Sequence, residues 1–183
     1  MTTQEVRVHY VSAWGQPSRE AMFTFGDTVM EVFKWSHETT EEGVNLYATC
    51  GASRRQMGDT ESRHRVEFAT GLLPDEDRIT SALALLGTFP LSGRTISYGE
   101  SVTLGDPLWP DTSMQSFLTV RPMEDLLPDL QVSDHGYVQF MNVVPMFESE
   151  LRLRNGRSAE WLMGELNDHD VSWWDPRRKP LAY

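Results

Sequence analysis

The sequence predicts an α+β fold: a single domain over residues 1–183, built on a mixed or mostly antiparallel sheet with a few short helices packed on it. Three observations carry this expectation. Stretches rich in β-branched and aromatic residues outnumber stretches with a helical apolar stripe. The two kinds do not alternate in the rhythm that builds a parallel sheet from βαβ units. Residues 137–144 are apolar on both alternating faces, with Gln139 and Asn142 as the interruptions, the pattern of a central strand covered on both sides.

Taken in order, Val6, Val8 and Tyr10 alternate with Arg7 and His9, which predicts a first strand near an edge of the sheet, polar on one side. Trp14-Gly15-Gln16-Pro17 turns the chain, and residues 18–25 are expected to form a short helix. Residues 29–35 and 46–50 have strand composition, separated by a polar loop over 37–43 made acidic by Glu38, Glu41 and Glu42. Residues 51–60, with turn residues and two arginines, describe an exposed connection. Val66, Phe68 and Thr70 alternate with Arg65, Glu67 and Ala69 as a further strand. Asp75-Glu76-Asp77 suits the positive end of a helix dipole, and Ile79, Ala82, Leu83 and Leu86 follow as a buried stripe that ends near Phe89-Pro90.

Residues 95–104 are expected to form a strand interrupted at Gly99 by a bulge or a close backbone approach. Leu108-Trp109-Pro110 cannot continue a ladder. Residues 116–120 predict another strand, and 122–136 a long loop whose Leu126, Leu127 and Leu130 tuck against the body. Pro145 is expected to end the 137–144 strand and to open a helix, because it offers no ladder donor and its fixed φ suits a first helical turn. Glu148 with Arg152 and Glu150 with Arg154 stand at i,i+4 in the favoured order, and Asn155-Gly156 supplies the stop. Ser158 caps a second helix with Ala159, Leu162, Met163 and Leu166 on one stripe.

Composition narrows the function. Hydrophobic residues at 39%, with six Trp and eight Phe, supply a packed core, while no apolar run approaches the roughly 20 residues of a membrane span. The start MTTQEVRVHY lacks a basic region followed by an apolar one, so the expected compartment is the cytoplasm, which a lone Cys50 without a disulfide partner also fits. A formal net charge of −11 works against nucleic acid and anionic membranes and favours a basic protein as partner.

The sequence offers no catalytic set. Histidines at 9, 37, 64, 135 and 169 lack metal-ligand spacing, no glycine loop is placed to cradle a phosphate, and Cys50 has no neighbouring His or basic residue to activate it. No cofactor, nucleotide or structural metal is expected. Asp168-His169-Asp170 is the constellation an enzyme would use, since a carboxylate beside an imidazole orients it and raises its basicity. It sustains a second hypothesis, a hydrolase assembled from Asp168, His169 and a distant carboxylate. For a binding surface the candidates are Trp173, Trp174 and Asp175, followed by Trp109 and Asp111: aromatic anchors with charge beside them.

The 137–166 stretch, with its strand, proline, charged helix, glycine and second helix, resembles the suppressor-of-fused domain in its short bacterial form when taken together with Arg65-Val66-Glu67-Phe68 and Tyr98-Gly99-Glu100-Ser101-Val102. The resemblance is clearest over 63–178. It implies a non-enzymatic protein-binding domain, because bacterial members are associated with polymorphic toxin systems as immunity proteins that neutralise a cognate toxin. An intracellular adaptor or regulator is the alternative it allows. The additional C-terminal domain of the animal Hedgehog-pathway regulator is not expected in these 183 residues, so transcription-factor binding is not carried over.

Overall fold

In the computed structural model, which describes residues 3–40, 42–57, 63–121, 127–132 and 136–182, everything is arranged around the longest strand, β8 (Gly136–Phe147). The chain runs α1 (Thr3–Trp14), β1 (Arg19–Phe25), β2 (Thr28–Trp35), α2 (His37–Thr40), β3 (Asn45–Cys50), a 3-10 turn (Ala52–Arg54) and β4 (His64–Leu72). It continues through α3 (Ile79–Leu91), β5 (Ser101–Thr103), β6 (Met114–Val120), β7 (Leu130–Val132), β8, α4 (Glu148–Arg154) and α5 (Ala159–Asp168). The strands form one sheet in the order β1-β2-β3-β4-β8-β6-β5, with β7 on β8. The β4–β8 pair is parallel and every other pair is antiparallel, as the α+β expectation required.

Both faces of β8 are covered, which is why its sequence is apolar at nearly every position. Met141 and Val143 join Phe68, Val66, Met30 and the stripe of α3 (Ile79, Leu83, Leu86) on one face. On the other face Val138 and Phe140 meet Val6, Tyr10 and Trp14 of α1, and further along Val144 and Met146 meet Leu162 and Leu166 of α5. The α3 and α5 stripes and their helices stand where periodicity placed them, and Ser158 caps α5 by accepting the Trp161 N–H at 3.1 Å. Strands were expected at β2, β3, β4 and β6 and are found there.

Several expectations are corrected. The stretch around Val6, Val8 and Tyr10 is helix α1, not an edge strand. Val6, Tyr10 and Trp14 recur every four residues, and Tyr10 packs between Trp14, Trp35, Phe33 and Phe140, with its hydroxyl donating to the Thr49 carbonyl at 2.9 Å. A five-residue alternation fits either period, and the aromatic nest on the sheet selects the helix. Residues 18–25, expected to be helical, are strand β1: Gly26-Asp27 joins it to β2 with Phe25 opposite Thr28, a two-residue hairpin turn. Within the polar 37–43 loop, His37–Thr40 forms the short helix α2; Glu41 of that loop and residues 58–60 of the next connection lie outside the described residues.

The strand predicted over 95–104 is reduced to β5. Gly99, at φ 84°, turns the chain so that its N–H donates to the Thr119 carbonyl at 2.9 Å. In the 122–136 connection Leu127 is buried and Leu130 opens a strand, β7, that pairs with β8; Leu126 lies outside the described residues. Pro145 does not end β8. The pairing with β4 stops at Asn142, so Pro145, opposite Phe117 of β6, stands where the β4 side of β8 is already open and a missing N–H costs nothing. The helix therefore begins at Glu148. Its Glu148–Arg152 pair forms at 2.6 Å, but Glu150 turns inward to Arg178, and Arg154 donates instead to the Gly99 carbonyl.

Candidate protein-binding surface

The C-terminal segment after α5 is strapped to the sheet at three points. The Leu73 N–H donates to the Trp174 carbonyl at 3.0 Å, Arg178 reaches the buried carboxylate of Glu150, and the Leu181 N–H donates to Glu150 Oε1 at 3.0 Å. Arg178 spends its fork on Glu150 at 2.5 and 2.8 Å and gives Nη2 also to the Pro145 carbonyl at 3.0 Å. These contacts hold Trp173 and Trp174 edge to face, with centroids 5.3 Å apart. Trp173 packs against the α5 cluster, whereas Trp174 is half-buried beside the end of β4. Asp175 closes a turn by accepting the Arg177 N–H at 2.8 Å and lies 3.7 Å from the same guanidinium.

Trp109 and Asp111 part company. Trp109 is 4% exposed, its ring inside the α3 cluster, so it anchors its own loop. Asp111 stands out with its side chain 93% exposed, 3.8 Å from Arg78. Trp109 and the Trp173-Trp174 pair thus belong to different clusters, yet the β4–α3 connection reaches both neighbourhoods, Trp174 through Leu73 and Asp111 through Arg78.

That connection also forms one wall of a feature the sequence reading missed. An open cleft of about 540 Å³ is lined by Ser18, Arg19, Lys34, His37, Asn45 and Asp75, among others. Lys34 on β2 lines it, with its ammonium 2.8 Å from Asp75 and 2.5 Å from Asp77. Arg19 and the Tyr47 hydroxyl also donate to Asp77. In sequence the acids of Asp75-Glu76-Asp77 stand as dipole complements of α3; their second role depends on a cation on β2, which only strand pairing brings to them.

The electrostatics follow from these contacts. Burial opposes charge on Asp77, but the bonds from Lys34 and Tyr47 outweigh it and hold the carboxyl below its ordinary range; burial likewise works against Lys34, and Asp75 and Asp77 outweigh it and raise its pKa. The hydrogen bond from Arg7 lowers Glu20, and that from Arg78 lowers Glu76. Burial pushes the Cys50 thiol and the Tyr47 phenol well up. Lys34, Cys50 and Tyr47 are all kept protonated, so none is poised as a nucleophile or base. Asp168 and His169, the hydrolase candidates, are exposed at the end of α5, where His169 Nδ1 bonds the Glu165 carbonyl at 2.9 Å. Among the described residues no group of three or more His, Cys, Asp or Glu is placed to hold a metal.

An acid limb in stability is expected from the same network. Asp77, Glu76 and Glu20 have folded pKa values below their unfolded ones, so their contribution is present above the ordinary carboxylate pKa and is lost as pH falls through the lowered values. Urea unfolding between about pH 5 and pH 2 checks this, with Asp77→Asn expected to flatten the limb.

Residues 26–179 match the family model of the suppressor of fused protein. The chain belongs to the suppressor of fused family. Solved structures agree with that fold. A suppressor of fused homolog from Neisseria gonorrhoeae is 20% identical with a TM-score of 0.68, over 99% of this chain and 97% of that one. A chain of the Sufu-Fu complex is 13% identical with a TM-score of 0.66, over 97% and 88%. Drosophila Suppressor of Fused gives the same identity and TM-score, but this chain spans only 49% of it. No curated protein matches. In suppressor of fused terms the matched segment runs from the β1–β2 turn to the C-terminal strap, which takes in Asp111, the Trp173-Trp174 pair and the lining of the Lys34 cleft except Ser18 and Arg19. No helix among the described residues is long and apolar enough to cross a membrane.

Proposed function

We propose that this chain is a single-domain, non-catalytic protein-binding module of the cytoplasm, an immunity protein that neutralises a cognate toxin domain. The observation that carries the binding part is the family fold, one of whose solved members is a chain of the Sufu-Fu complex. The toxin part is supported by the resemblance to short bacterial members and by the net charge of −11, which steers a basic partner toward the surface. Trp174 is the anchor in this reading, because it is half-buried and its main-chain carbonyl accepts the Leu73 N–H of the connection that walls the charged cleft, with Asp175 next to it in the chain and Trp173 packed edge to face on its ring; the exposed Asp111, paired with Arg78 of the same connection, adds charge. An intracellular adaptor of the suppressor-of-fused type is the second reading, favoured by the same Sufu-Fu neighbour.

Co-expression with the product of the neighbouring gene tests the proposal. Protection of the cell, and an association rate that falls steeply with salt while dissociation changes less, are the expected results. Trp174→Ala is expected to cost about 2 kcal/mol or more of affinity and to leave the melting curve close to that of the parent. A neighbouring product that is not toxic but binds with the same sensitivity to Trp174→Ala selects the adaptor reading. Unchanged affinity in that variant removes Trp174 from the interface.

A further inference from the structure

Strand β1 ends the sheet, and among the described residues no main-chain hydrogen bond reaches residues 19–25 from any element but β2. The two-residue turn at Gly26-Asp27 makes the flanking pair, Phe25 and Thr28, exchange hydrogen bonds. By alternation Phe23 and Ala21 also aim their main-chain groups at β2, while Thr24, Met22 and Glu20 aim theirs outward. This edge lacks the usual protections. The β1–β2 register runs from Arg19 to Phe25 without a shift, no proline interrupts it, and its two charged residues, Arg19 and Glu20, stand together at one end. The middle of the edge carries Met22, which is 68% exposed.

We propose that β1 is a self-association edge, on which two copies of this chain pair antiparallel about a two-fold axis through Met22. The register is self-complementary, as an isologous contact requires. Met22 faces Met22 of the second copy, and Glu20 faces Thr24, so every residue with outward main-chain groups meets another such residue. Ala21 faces Phe23 and Arg19 faces Phe25, which leaves no like charges opposite each other. Arg19, with a side chain 71% exposed, also lies diagonal to the exposed Asp27 turn of the second copy. The pairing covers the two Met22 side chains and joins the two sheets into one. It is independent of the toxin reading, since it uses neither Trp174 nor the C-terminal strap.

Sedimentation velocity of the full chain over a wide range of concentration tests the pairing, together with amide exchange of the same samples. The expected result is a concentration-dependent dimer in which the amides of Glu20, Met22 and Thr24 become protected as the dimer forms. Met22→Lys, which sets two ammonium groups face to face, and Thr24→Pro, which removes an outward donor and leaves the β1–β2 ladder intact, are each expected to weaken association by about tenfold or more. A chain that stays monomeric at every concentration overturns the proposal. So does a dimer that survives both variants, or one whose formation leaves the exchange of these amides unchanged, a readout that does not depend on either variant folding.

Discussion

Replacing Glu150 with leucine is expected to cost about 3–5 kcal/mol of folding stability, the scale for breaking a buried ion pair by removing one partner. The side chains of Glu150 and Arg178 are 0% and 4% exposed, and the Glu150 carboxylate also takes the Phe147 N–H at 3.1 Å and the Leu181 N–H. Leucine leaves the guanidinium buried without its counter-charge and unties the strap that positions Trp173 and Trp174. Arg178→Met is expected to lose a similar amount for the converse reason. The double variant, Glu150→Leu with Arg178→Met, is expected to recover much of the loss, because paired apolar replacements remove the desolvation cost along with the attraction. Denaturant unfolding of the three variants decides the matter. Single variants that unfold like the parent would mean that the strap is held by Leu181 and the tryptophans without the ion pair.

Glu67→Ala is expected to destabilise by at least about 3 kcal/mol, since several buried donors lose their acceptor at about 1–3 kcal/mol each and entering water restores only part. Glu67 is 0% exposed on β4, and its carboxylate collects five donors from one short stretch of chain and its neighbour strand. Gly51 N–H at 2.8 Å, Ser53 N–H at 3.1 Å and Ser53 Oγ at 2.6 Å reach Oε1; Thr49 Oγ1 at 2.7 Å and Ala52 N–H at 3.2 Å reach Oε2. Successive N–H groups point one way because Gly51 adopts φ 137°, a conformation strained for any residue with a Cβ. Burial raises the Glu67 pKa above its ordinary value, and the donors oppose that rise. Glu67→Gln, which keeps the shape but turns one acceptor into a donor, is expected to fall between the parent and Glu67→Ala. Thermal melts of the pair test this, and an alanine variant as stable as the parent would show that the turn after β3 holds itself together.

An element of this fold is legible in the sequence to the extent that its signal is local. Residues 137–144 and the stripes of α3 and α5 were legible because burial on both faces, or along one stripe, repeats over several turns or positions and needs no knowledge of the partner. The family resemblance rested on the 137–166 stretch together with the short blocks at 65–68 and 98–102, taken in order. The first helix was not legible in this way: Val6, Val8 and Tyr10 satisfy a period of two as well as Tyr10 and Trp14 satisfy a period near four, and the pocket formed by Trp35, Phe33 and Phe140 from distant strands made the choice. Residues 18–25 became a strand because Gly26-Asp27 closes a hairpin on β2, a pairing contact outside the reach of a helical reading.

At the candidate surface the sequence by itself determined which residue types were available: the tryptophans at 109, 173 and 174, the aspartates beside them, and a net charge of −11. Tertiary structure alone decided their use. It buried Trp109, left Trp174 half-covered beside the end of β4, and exposed Asp111. It also re-paired the charges. Glu150, four residues from Arg154, turned to Arg178, because a carboxylate enclosed by packing is stabilised by a guanidinium buried with it, whereas an i,i+4 pair on a wet helix face gains only a few tenths of a kcal/mol. Asp77, in the connection before α3, meets Lys34 because strand pairing sets β2 two strands away from β4, where that connection begins. Spacing along a chain lists the neighbours a charge has in solvent; the partner it keeps is set by which opposite charge the fold removes from water with it.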